Sequence, residues 1–182
     1  MNIEETASDI SKVDNKYAKE CKVKELELPN GLKVLVNKYN YWDKSQPQWD
    51  DLQKYMIQAA NMYGLTIVYS EVCRTVSTSN ASREQKGSCV APGGKSPHNY
   101  GVAADIWVFK DGELVSNNTD LYRKFVDKAI ELSGGRIKWG GYYRDRDLAV
   151  KERHHFEIDG WNDINSPNYC KNKEYKITSL KK

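Results

Sequence analysis

The run Ala103-Ala104-Asp105-Ile106-Trp107-Val108-Phe109 places one carboxylate inside an otherwise apolar segment. Its β-branched and aromatic residues favour a strand. Period-two alternation puts Asp105 on the same face as Ala103 and Trp107. A carboxylate in such a strand is costly to bury unless a donor, a cation or a metal ion partners it. The fold must therefore bring a partner to Asp105 while burying the residues around it.

The neighbouring sequence supplies further elements. "VKELELPNGLKVLVN" alternates on both sides of Pro29-Asn30-Gly31, which predicts a β-hairpin. "SQPQWDDLQKYMIQAANMYG" predicts a helix, with Pro47 in its first turn, Asp50 and Asp51 near its N-terminus and Gly64 past its end. Leu52, Tyr55, Met56, Ala59 and Tyr63 form its apolar stripe. "LTIVYSE" (65–71) reads as a central strand, and the polar stretch 75–97 as a long loop of the kind that carries function. Lys110-Asp111-Gly112 signals a turn after the 103–109 strand. "NTDLYRKFVDKAIELSGG" predicts a second helix capped by Asn118 or Thr119, with Leu121, Phe125, Ala129 and Leu132 inward and Gly134 at its end. A short strand ending at "KWGGYY" and a final strand, "HHFEI", complete the pattern. The fold class expected is α+β, a small, largely antiparallel sheet with two flanking helices. Residues 1–22 read as a polar lead-in, 23–160 as the domain, and 161–182 as an extension packing back on it.

Composition narrows the function classes. A net charge of +3 without any dense basic block argues against nucleic acid. No stretch approaches the ~20 apolar residues of a membrane span. "MNIEETASDISKVDNKYAKE" lacks the basic start and apolar run of a secretion signal, so synthesis in a cytoplasm is expected. Cys21, Cys73, Cys89 and Cys170 form no C-x-x-C pair, which argues against a thiolate zinc site and favours free thiols over disulfides.

The chain has three histidines, at 98, 154 and 155. Hydrolytic zinc sites use three protein ligands and leave a fourth position open. His98, seven residues before Asp105, and Asp105 itself are suitable ligand types, and Gly101 permits a sharp loop-to-strand entry. The third ligand must come from "KERHHFEI". Were this a strand, His155 and Glu157 would share one face and His154 and Phe156 the other. A core-facing Phe156 would turn His155 to the site, with His154 the alternative. Glu152, three residues earlier, is placed to act as general base. Glu157 reads as a surface acid or a support to the ligand, and Asp145 and Asp147 as loop charges.

Ser96-Pro97-His98-Asn99-Tyr100-Gly101-Val102-Ala103-Ala104-Asp105 matches S-x-H-x-x-G-x-A-x-D at all five fixed positions. Chance would give such a match in about one chain in ten thousand of this length. The motif resembles that of the zinc D-alanyl-D-alanine carboxypeptidase and L-alanyl-D-glutamate endopeptidase family, which includes many phage endolysins. Glu152-Arg153-His154-His155-Phe156 is similar to the family's acid-x-x-His-aromatic element, and Trp139-Gly140-Gly141 to the "WGG" of its endopeptidases. Val72-Cys73-Arg74-Thr75 is a partial match to its arginine turn.

The resemblance covers residues 47–159 and implies a zinc DD-peptidase/hedgehog-like fold. It implies His98, Asp105 and His155 as ligands of Zn2+, with Glu152 as base and Arg74 stabilising an oxyanion or a substrate carboxylate. Ser96 would support a ligand and Gln85 contact substrate. The expected activity is hydrolysis of a peptidoglycan stem-peptide amide by a monomeric, phage-type lysin reaching the cell wall after release or on a virion. The L-Ala–D-Glu bond is the first candidate. D-Ala–D-Ala, cut by a carboxypeptidase or dipeptidase, is the second, because Glu152 stands where family endopeptidases often have Asp. A zinc-stabilised wall-binding module without turnover is the alternative of another class.

Overall fold

A computed structural model describes residues 23–37, 45–71 and 97–161. The hairpin forms as its turn residues dictate. β1 (Val23–Glu27) pairs antiparallel with β2 (Lys33–Asn37), and Gly31 takes the left-handed conformation of the turn, φ 87°. The chain then enters α1 (Pro47–Met62), where Pro47 opens the first turn because its missing N–H would have no helical partner there. β3 (Leu65–Glu71) follows and lies parallel to β2, so β2, α1 and β3 make a crossover unit.

β4 (Ala103–Lys110) is the central strand, antiparallel to β3 on one side. Past it, Asp111 and Gly112 both adopt positive φ, 51° and 82°, as a two-residue hairpin loop requires. The turn signal at 110–112 thus returns the chain into β5 (Glu113–Leu114), paired with the end of β4. α2 (Asp120–Leu132) comes next, with Thr119 capping it by accepting from Tyr122 N. β6 (Ile137–Trp139) leads through a 3-10 turn at Gly140–Tyr142 to α3 (Arg146–Lys151), and β7 (His155–Ile158) ends the described sheet.

Strand order is β1-β2-β3-β4-β7-β6, with β5 beside β4. Among the described strands only the β2–β3 pairing is parallel, so the largely antiparallel α+β expectation holds. The expectation of two helices does not, since α3 is a third. Asp145, read above as a loop charge, caps it by accepting from Leu148 N.

The main core lies between one sheet face and the helices. Ala104, Ile106, Val108 and Phe156 meet Trp49, Met56, Phe125 and Ala129 there. The expected inward residues all pack on this core, but the stripes are broader than expected. Trp49 and Ile57 are buried on α1 while Tyr55 and Tyr63 lie half-exposed; Tyr122 and Val126 are buried on α2 while Leu121 and Leu132 are half-exposed. The odd-numbered residues of β4 face away from this core, so Asp105 opens onto the opposite side of the sheet.

Candidate metal centre

Register brings the centre together. Asp105 of β4 stands directly across from His155 of β7, and Ala104 across from Phe156. Phe156 is fully buried in the core, which turns His155 and Glu157 to the far face. At Asp105 the β3–β4 ladder shifts by a residue between Tyr69 and Glu71. Ser70, within that irregularity, donates its hydroxyl to the Asp105 carbonyl at 3.1 Å.

His98 arrives from the 3-10 turn Pro97–Tyr100. Gly101 follows it at φ 70°, the unusual backbone that the entry into β4 was expected to need. Gln46, just before α1, clamps this corner twice: its backbone N–H donates to Gly101 O at 2.9 Å and its side-chain amide to Tyr100 O at 2.9 Å.

The three donor atoms form a nearly equilateral triangle. His98 Nε2 is 3.1 Å from His155 Nδ1 and 3.2 Å from Asp105 Oδ1, and the last two are 3.1 Å apart. All three residues are buried. Tetrahedral bonds of about 2.0–2.1 Å need ligand atoms about 3.3 Å apart, so this set of two imidazoles and one carboxylate fits a zinc-sized ion. Burial opposes charge on Asp105, but His98 and His155 outweigh it and hold its carboxyl well below the usual range. Burial likewise opposes charge on His155, and Asp105 and Glu157 override it, raising the ring to about 10.

His154 does not join the triangle. It lies in the turn before β7 rather than on the Phe156 face of a strand, its side chain is 42% exposed, and its Nε2 is 3.7 Å from Asp105 Oδ2. Glu157 is no surface acid: it is buried, 3.3 Å from His155 Nε2, and accepts a 2.9 Å hydrogen bond from Tyr143.

Glu152 is half-buried at the C-terminus of α3, and its carbonyl accepts from His155 N at 3.0 Å. "WGG" is what fits it there. A Cβ on Gly140 would stand 2.2 Å from Glu152 O and 2.7 Å from Glu152 Cβ, and Trp139 Nε1 donates to Arg153 O at 2.6 Å. Sequence reasoning missed Tyr143, Gln46 and Ser70, which carry no motif and act through folded geometry. Arg74, Gln85 and Ser96 lie outside the described residues, as do all four cysteines.

No family model matches the chain. Among solved structures, the L-Ala D-Glu endopeptidase ChiX of Serratia marcescens superposes with TM-score 0.50 at 18% identity, over 64% of this chain and 82% of that one. VanYB in complex with D-alanine-D-alanine matches with TM-score 0.44 at 19% identity, covering 77% of this chain and 79% of the other. A vancomycin-resistance D,D-pentapeptidase, VanY, in complex with Zn(II) matches with TM-score 0.46 at 16% identity, covering 88% and 90%. The chain shares the fold of the ChiX endopeptidase, the α+β architecture its motifs implied.

Proposed function

We propose that the protein is a zinc-dependent peptidase of peptidoglycan stem peptides, with the L-Ala–D-Glu amide as its first substrate. One observation carries this reading: the buried triangle of His98, Asp105 and His155, with Glu152 held three residues before the last of them. The fold shared with an L-Ala D-Glu endopeptidase supports it.

Bound zinc supplies Lewis-acid chemistry for amide hydrolysis. His98, Asp105 and His155 hold the ion with one net negative charge among them. Glu152 takes a proton from the attacking water and returns it to the leaving amine. Arg74 meets the negative charge developing on the scissile oxygen or a carboxylate of the substrate, for which a guanidinium fork is suited. Ser96 supports a ligand and Gln85 contacts the peptide. A second reading, D-Ala–D-Ala carboxypeptidase, draws on Glu152 standing where endopeptidases of this kind often carry Asp.

Metal analysis with mass spectrometry of muropeptide digests tests the proposal, comparing wild type with Glu152→Ala. The endopeptidase reading expects fragments beginning with D-Glu, and the carboxypeptidase reading expects free D-Ala; neither should appear with the variant. A wild type that binds zinc yet releases no new amine from any peptidoglycan would instead be a wall-binding module.

A further inference from the structure

An imidazole that offers one nitrogen to a metal must place the proton of its other nitrogen somewhere. His155 turns Nδ1 to the triangle, and its side chain is only 5% exposed, so water is a poor acceptor for Nε2. Glu157 Oε2 lies 3.3 Å from Nε2. The other carboxylate oxygen of Glu157, Oε1, accepts the Tyr143 hydroxyl at 2.9 Å. Lys138 is the cross-strand partner of Glu157 on β6, and its ammonium sits 5.4 Å from the centre of the Tyr143 ring. A buried carboxylate without partners would be costly; this one has a ring N–H, a phenol and a nearby cation.

We infer that Glu157, held by Tyr143, is a positioning residue for the metal centre: it fixes the ring of His155 with its proton on Nε2 and its Nδ1 lone pair aimed between His98 and Asp105. Carboxylates on the far nitrogen of a ligating histidine orient the ring and raise its basicity, and losing one weakens metal binding about 10–100-fold. The same geometry excludes Glu157 as the general base. Its two oxygens are engaged on the side of the ring away from Nδ1, by the ring itself and by the Tyr143 hydroxyl. The Tyr143 hydroxyl acts through Glu157, so its removal weakens binding in the same direction but less.

The inference rests on the triangle being a metal site, and zinc affinity can be measured without turnover. Dissociation constants are obtained by competition with a chromophoric chelator for wild type, Glu157→Gln, Glu157→Ala and Tyr143→Phe. Thermal unfolding of each metal-free form is followed alongside. The expected order of affinity is wild type, Tyr143→Phe, Glu157→Gln, Glu157→Ala, with the last about 10–100-fold weaker than wild type. Cobalt(II) substituted into Glu157→Ala should show an altered visible spectrum, which a loss of stability alone would not produce.

Zinc affinities of Glu157→Gln and Tyr143→Phe both within twofold of wild type overturn the inference, even if Glu157→Ala fails to fold. A wild type that takes up no zinc overturns the metal site as well. The two failures are therefore distinguishable.

Discussion

His154 and His155 are adjacent in the chain, yet they meet Asp105 on different terms. His155 is buried with Nδ1 at 3.1 Å, whereas His154 stands half in solvent at 3.7 Å from the other oxygen. Two substitutions separate them. His155→Ala should weaken zinc binding by at least about 100-fold, because it removes one of three ligands and leaves Asp105 and His98 without their shared partner. His154→Ala should retain stoichiometric zinc; equilibrium dialysis with metal analysis reads both. That His155 faces Asp105 was legible in the sequence because Phe156 is too apolar to turn away from the core, and strand alternation then orients His155. Glu157 was not legible in the same way. Sequence shows a carboxylate two residues from His155, but only the ring's orientation shows that it faces Nε2 and not the donor triangle.

α3 is six residues long and buries little beyond Ala149, so it lacks the sustained apolar period by which α1 and α2 were found. Its one local signal was Asp145 three residues before Leu148, a cap spacing easily read as loop charge. Replacing that cap by Asp145→Ala should cost about 1 kcal/mol, seen as a fall of a few degrees in Tm. The 3-10 turn before α3 is less forgiving. Gly140→Ala must move the backbone of Glu152, since the added methyl would overlap its carbonyl and Cβ. If Glu152 is the base proposed above, a shift of about 1 Å there costs on the order of 100-fold in rate. The expected result is a loss of that order in hydrolysis while zinc stoichiometry, measured in the same preparation, is kept. Unchanged turnover would show that Gly140 packs without setting Glu152.

Across the described residues, the longer strands and the two long helices were legible from their periods, but the order of strands in the sheet was not. Nothing between 137 and 158 says that β7 enters between β4 and β6; that depends on Phe156 and Ile158 joining a core made largely of earlier residues. The parallel β2–β3 pairing also needed the path of α1 to be known. Three donors supplied by a turn and two strands would couple a bound metal to the entire sheet. Saturating zinc at about 1,000 times its Kd should therefore stabilise the fold by ~4 kcal/mol. Calorimetry before and after treatment with a chelator should show a lower Tm in the stripped protein, restored on adding zinc back. The strand insertion has a consequence for synthesis. Asp105 leaves the ribosome fifty residues ahead of His155, its neighbour across the ladder. An unfinished chain thus carries two of the three donors and no enclosure for an ion. The donor triangle stays open until the last described strand slots into place, so it is completed late, as a by-product of closing the sheet.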